Sequence, residues 1–322
     1  MQKRRMASDG PEVTAVGFGA WAIGGLGYGK QDDKQAAEAL DAYLDGGGRL
    51  IDTARGYGVS EILVGKALKR FGRREEVYLA SKSGSTHPPI ARTDLETSLF
   101  CLQAGAVDLY YIHVPPPDPD KLDALLAVYD SLKQAGKTRQ VGVSLPPMRS
   151  DDHYALAGRI LADPRVDVVQ IPHSFAGPQT GELIQRAAER GLGVLTRMNM
   201  LGGILTGKYE PGHRFDDPGN DWRASLNGPH LDRALAIVQS LAAEVVQPPY
   251  ENLSELALAW SLHAPGVTAI IPGGRRPEQV RANLRVDQLP APDGDVREAL
   301  EQAGREIAEQ IRQARGEASR PG

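Results

Sequence analysis

Short runs of apolar and β-branched residues alternate along the chain with longer stretches whose apolar positions recur every three or four residues. The short runs are 13–18, 50–52, 77–81, 108–112, 140–144, 166–171, 193–196 and 267–271. They are apolar on both faces, as strands buried under helices on each side should be. The longer stretches read as helices. They run from 33 to 46–48, then over 61–69, 93–105, 122–135, 154–162, 182–190, 231–246, 253–263 and 277–284, with a charged amphipathic helix over 293–315. Residues 210–229 break the pattern. They are rich in Gly, Pro, Asp and Asn, and a loop this long in a compact domain is usually a lid or a binding loop. Strand–helix alternation indicates a parallel sheet. Eight such units indicate an α/β fold, a single (β/α)8 TIM barrel spanning 1–322 as one domain. It carries the long loop and an extra helix after strand 7, and a C-terminal helix. Residues 1–10 and 316–322 are expected to be flexible.

Composition narrows the function more than the fold. Hydrophobic content of 41% and charged content of 24% fit an ordinary soluble protein. A net charge of −4 gives no reason to expect nucleic acid or an anionic membrane as partner. No apolar run reaches the length of a membrane span. The lone cysteine, Cys101, excludes an internal disulfide and reads as a small core residue on a helix. Residues 1–10 are basic without a following apolar segment, so a cytoplasmic protein is expected. The seven histidines lack paired ligand spacing, and no metal is expected. Gly17, Gly19 and Ala22 match the dinucleotide pattern G-x-G-x-x-A, but glycine-rich loop follows where that pattern requires a helix.

In such a barrel, chemistry gathers at the C-terminal ends of the strands. Asp52, Lys82 and His113 close three consecutive strands, and Tyr57 follows Asp52 on a loop flanked by Gly56 and Gly58. Ser60 is a plausible N-cap for the next helix. Each residue alone has a plain structural reading: a surface tyrosine on a turn, an ion pair at the rim, a satisfied core histidine. Together they suit reduction of a carbonyl, where an oxygen gaining charge must be protonated. Free tyrosine, with a pKa of about 10, is a weak acid near neutrality. An ammonium within roughly 4–6 Å favours its ionised form. Lys82 is the expected ammonium, Asp52 its partner, and His113 the group that orients the substrate oxygen as a neutral ring.

The run Ile51–Asp52–Thr53–Ala54 with Tyr57–Gly58, then Ser81–Lys82, then Ile112–His113, resembles the aldo-keto reductases. Val141–Gly142–Val143–Ser144, Leu205–Thr206–Gly207–Lys208–Tyr209 and Ile271–Pro272–Gly273 with Gln279 and Asn283 extend the resemblance over nearly the whole chain. It implies an NADP(H)-dependent oxidoreductase with Asp52, Tyr57, Lys82 and His113 as catalytic tetrad and a small-molecule carbonyl as substrate. Ser144 and Gln170 would hold the nicotinamide carboxamide. Arg197, Met198, Asn199 and Met200 would line the nicotinamide and diphosphate, with Lys208 near the phosphates. Gly273, Arg275, Gln279 and Asn283 would hold the adenosine end, and Ala20 and Trp21 the mouth. Arg275 and Arg276, ahead of a helix N-terminus, form an anion site suited to a 2′-phosphate. The chain departs from the family pattern at Leu145, at Arg197 where an aromatic residue often stacks on the nicotinamide, and at His173–Ser174. A guanidinium plane can also stack. The alternatives are a nucleotide-binding sensor barrel like the potassium-channel beta subunits, and a Schiff-base lyase using Lys82. The lyase needs an unpaired lysine, which Asp52 opposes.

Overall fold

A computed structural model describes residues 1–177 and 179–316. Two short strands, β1 (Lys3–Arg5) and β2 (Glu12–Thr14), pair antiparallel ahead of the barrel. The barrel strands are β3 (Phe18–Gly19), β4 (Leu50–Asp52), β5 (Tyr78–Ser83), β6 (Val107–Ile112), β7 (Thr138–Ser144), β8 (Val168–Pro172), β9 (Gly193–Arg197) and β10 (Ala269–Ile270). They pair in chain order, all parallel. The ring closes where the Gly17 N–H donates to the Ile270 carbonyl at 2.8 Å and the Ile270 N–H to the Ala15 carbonyl at 3.0 Å. The expected (β/α)8 barrel is therefore present. Its first unit is divided: the run 13–18 contributes Val13 and Thr14 to the hairpin and Phe18 to the barrel.

The helices are α1 (Asp33–Asp45), α2 (Ser60–Phe71), α3 (Pro88–Leu102), α4 (Pro119–Gln134), α5 (Asp151–Ala162), α6 (Gly181–Glu189), α7 (Pro229–Val245), α8 (Leu253–Leu262), α9 (Pro277–Arg285) and α10 (Gly294–Ala314). The extra helix after the seventh barrel strand is α7, and α10 packs along it. α3 starts five residues before the expected boundary. Pro88 and Pro89 stand in its first turn, where their fixed φ suits a helix and no N–H is needed. Ser60 is not an N-cap. It is the first residue of α2, and its buried hydroxyl lies 2.8 Å from the Thr53 hydroxyl and donates to the Ala20 carbonyl at 3.0 Å.

Within the first ten residues, two side chains anchor the segment to the barrel. Met6 is fully buried among the inward side chains of Val13, Leu50, Tyr78 and Leu109, and Arg4 donates to the carbonyls of Leu262 and Val267 at 2.9 Å. The inner barrel layer needs apolar cover at the N-terminal ends of the strands, and this segment provides it. Of the tail expected to be flexible, 317–322 lie outside the described residues. Among the described residues no helix is long and apolar enough to cross a membrane.

Candidate active site

Strand alternation decides which side chains enter the barrel. Asp52 ends β4 and Lys82 stands near the end of β5, beside Tyr111 in the β5–β6 register. The Lys82 side chain is fully buried. Its Nζ donates to Asp52 Oδ1 at 2.5 Å and to the Thr53 carbonyl at 2.8 Å. The same Nζ lies 5.0 Å from the centroid of the Tyr57 ring. His113, one residue past β6, meets Tyr57 edge-on with ring centroids 5.5 Å apart. The four residues singled out from the sequence thus converge at one end of the barrel. On the Tyr57 loop the required glycine is Gly58, at φ +57°, where a Cβ would stand 2.2 Å from the Gly24 carbonyl oxygen. Gly56, on the other side of Tyr57, has open space beside it.

The electrostatics follow from burial. Burial pushes the Asp52 carboxyl up, against the pull of Lys82 and Gln170. Burial, with the positive charges of Lys82 and Arg197, lowers His113 to about 3, so it is a neutral ring near pH 7. Burial also lowers the Arg197 guanidinium, opposed by Tyr57 and Asp52.

These groups open onto a cavity of about 560 Å³. Trp21 lines it, with its ring 6.0 Å from that of Tyr57 and 4.7 Å from that of Tyr28. Gln170 donates to Asp52 Oδ2 at 2.9 Å and accepts from the Ser144 hydroxyl at 3.3 Å. Gln170 reaches the cavity, whereas Ser144 is buried behind it. Arg197, Met198, Asn199, Met200, Lys208, Gly273, Arg275 and Gln279 all line the wall. Ala20, expected at the mouth, is fully buried, and Ala22 takes its place because the single helical turn over Ala20–Ile23 buries Ala20 and Ile23, three positions apart, and leaves Trp21 and Ala22 on the cavity side. Asn283 sits behind the wall and donates to the Gly273 carbonyl at 3.2 Å.

Two features fit a polar, planar ligand. Arg197 Nε and Asn199 Oδ1 are buried without a hydrogen-bond partner, in the wall where the nicotinamide end of a dinucleotide is expected. Beyond them Met198 and Leu201 adopt left-handed φ of 62° and 46°, followed by Gly202 and Gly203 at 67° and 92°. Such backbone in non-glycine residues concentrates at ligand clamps.

Arg275 behaves differently from its sequence reading. Its guanidinium donates to the Tyr28 carbonyl at 2.8 Å, to Gln31 Oε1 at 3.2 Å and to the Lys30 carbonyl. It ties the β3 loop to the start of α9, while the neighbouring Arg276 is exposed at the helix N-terminus. The sequence reading also missed Arg223 and Tyr209. Arg223 is 8% exposed, pairs with Asp221 at 2.6 Å, donates to the Tyr209 hydroxyl and the Gly202 carbonyl at 3.0 Å, and lies 5.0 Å over the Tyr28 ring. Nothing local marks it, since it stands in the aperiodic loop. That loop latches onto the β3 loop: the Gly29 N–H donates to the Asn220 carbonyl at 3.0 Å, Asn220 Nδ2 to the Gly25 carbonyl at 3.0 Å, and the Trp222 N–H to the Gly27 carbonyl at 3.2 Å.

A parallel barrel whose strand ends bring together an acid, a phenol, a buried ammonium and a neutral imidazole defines a class of acid–base barrel proteins. Comparison with known proteins narrows the class. The aldo/keto reductase family model matches residues 15–302. The aldo-keto reductase YhdN of Bacillus subtilis is 31% identical over 88% of this chain and 87% of its own length. The NADH-specific methylglyoxal reductase of Escherichia coli is 28% identical over 92% of this chain and 96% of its own. Among solved structures, the holo form of a Bacillus halodurans aldo-keto reductase superposes with a TM-score of 0.75 at 24% identity, over 94% of this chain and 96% of that one. The chain belongs to the aldo/keto reductase family of oxidoreductases. Members of this family bind nicotinamide cofactors and act on small-molecule carbonyls.

Proposed function

We propose that this protein reduces an aldehyde or ketone to an alcohol with NADPH, and that Tyr57 is the proton donor. The observation that carries the reading is the fully buried Lys82 ammonium, 5.0 Å from the Tyr57 ring and fixed by Asp52. The hydride would come from a reduced nicotinamide dinucleotide held along the β8, β9 and β10 ends. Tyr57 would give its proton to the carbonyl oxygen as charge grows there, and the nearby ammonium stabilises the negative charge left on the phenol. Asp52 fixes the Lys82 Nζ in place through their 2.5 Å contact. Neutral His113 would donate a hydrogen bond to the same oxygen without competing for the proton. Gln170, anchored by Asp52 and backed by Ser144, would hold the carboxamide, with Arg197, Met198, Asn199 and Met200 along the ring and diphosphate. Trp21 would bound the substrate, with Ala20 supporting the wall from behind. Lys208, Gly273, Arg275, Gln279 and Asn283 would form the phosphate and adenosine end. Preference for NADPH would rest on the exposed Arg276 at the α9 N-terminus, with Arg275 beside it holding the β3 loop. The proposal treats the chain as one cytoplasmic domain, which the single cysteine supports.

The test is cofactor oxidation by the purified protein with a panel of aldehydes and ketones, run with NADPH and with NADH. Turnover is expected with NADPH at lower KM. Absence of turnover with every carbonyl would remove the reductase reading, and equal KM for the two cofactors would remove the 2′-phosphate assignment.

A further inference from the structure

Behind the catalytic cluster, on the far side of the barrel wall, lies a second buried carboxylate. Glu61 is the second residue of α2, and its side chain is 1% exposed. Its Oε1 accepts from the Ser81 hydroxyl at 2.6 Å, and its Oε2 accepts from Arg55 Nη1 at 2.8 Å. Both partners border the cluster in sequence. Ser81 directly precedes Lys82, and alternation sends Lys82 into the barrel while Ser81 faces α2. Arg55 lies between Asp52 and Tyr57, and its N–H donates to the Lys82 carbonyl at 2.9 Å. One carboxylate therefore grips, through side chains, both segments whose separation sets the distance from Tyr57 to Lys82.

Backbone groups also join the start of this loop to β5: the Thr53 N–H donates to the Ala80 carbonyl at 2.9 Å, and Lys82 Nζ donates to the Thr53 carbonyl at 2.8 Å. The Thr53–Ser60 hydroxyl pair and the Ser60 bond to the Ala20 carbonyl close the base of the loop, and neither reaches β5. Glu61 is also an expensive tie. A buried carboxylate whose charge partner is one-third exposed loses more hydration than an apolar residue of the same size would. Packing alone would favour leucine or methionine here.

We infer that Glu61 is a positioning residue: by holding Arg55 and Ser81 together it keeps Tyr57 at working distance from Lys82. The inference rests on the reductase reading. It is tested by steady-state carbonyl reduction, NADPH affinity from quenching of protein fluorescence, and thermal melting, on Glu61→Gln, Glu61→Asp, Arg55→Met and the Glu61→Gln/Arg55→Met double variant. In Glu61→Gln, kcat is expected to fall on the order of 10- to 100-fold while the Kd for NADPH stays within about twofold. Glu61→Asp, which keeps the charge, restores part of kcat. Arg55→Met lowers kcat in the same way, and the double variant is no worse than the poorer single, since both break one strut. An unchanged kcat in Glu61→Gln, or a fall in kcat matched by lost NADPH binding, overturns the inference. Should Glu61→Gln fail to fold, Arg55→Met decides, and an unchanged kcat there overturns it. A wild-type protein that reduces no carbonyl removes the reductase reading and this inference together.

Discussion

Lys82 and Tyr57 form an asymmetric pair: the ammonium is fully buried, whereas the phenol borders an open cavity. Removing the phenol oxygen should therefore abolish chemistry while disturbing the fold little. Tyr57→Phe is expected to lower kcat by about 10²-fold or more, with the Kd for NADPH within about twofold. Steady-state kinetics and fluorescence titration check this, and a variant that keeps more than about a tenth of its kcat would take the proton from another group. Histidine burial gives a second prediction at this scale. His113 is lowered to about 3 and His173 to about 4, each mainly by burial. In the unfolded chain both protonate near 6.5. Between those values the unfolded state binds more protons than the folded one, so stability rises with pH there. The contribution is whole above pH 6.5 and drains away as pH falls toward 4 and then 3. Melting temperature should fall on acidification from pH 7 to 4.5, and His173→Gln should flatten that fall. The convergence of Asp52, Tyr57, Lys82 and His113 was legible at this scale because each sits at or just past a strand end, which periodicity locates. Ala20 was misread because a one-turn helix leaves no periodic trace, and Ala22 faces the cavity instead.

At the scale of elements, the β3 loop, the 210–228 segment and the start of α9 form one joined rim. Arg275 holds the β3 loop through two carbonyls and Gln31, and Asn220 holds it from the other side. The arginine expected to bind a 2′-phosphate is thus already committed to the backbone that carries Tyr28. Arg275→Met should raise the carbonyl KM severalfold, because Tyr28 and Trp21 lose their fixed loop. A variant with an unchanged carbonyl KM would show that the strap has no bearing on the substrate wall. The sequence marked 210–229 as a long aperiodic loop; the structure sets one short helical turn, Trp222–Leu226, within it and starts α7 at Pro229. The sequence carried no sign of where the loop lands, because the latch consists of backbone groups and one asparagine.

The whole molecule shows where the barrel is vulnerable. Met6 covers the inner layer from the end remote from the site, among residues drawn from β2, β4, β5 and β6. Met6→Ala is expected to destabilise the fold by about 2–5 kcal/mol, a typical value for truncating a buried methionine. Urea unfolding should show the lower midpoint, and the KM for NADPH should stay unchanged, since the plug and the site lie at opposite ends. A midpoint equal to the wild type would mean that the hairpin does not close the barrel in solution.

Sequence alone determined the number, order and direction of the eight barrel strands, and with them the end of the barrel where chemistry gathers. It did so because burial periodicity is a short-range property, written within each ten- or fifteen-residue stretch. Tertiary structure decided which polar groups remain free to meet a ligand. Arg275 finds the Tyr28 carbonyl 247 positions away, Gln170 finds Asp52 at a separation of 118, and Glu61 on α2 accepts from Ser81 on β5 at a separation of 20. Those pairings depend on how eight units close on one another, and no local stretch of chain encodes that closure.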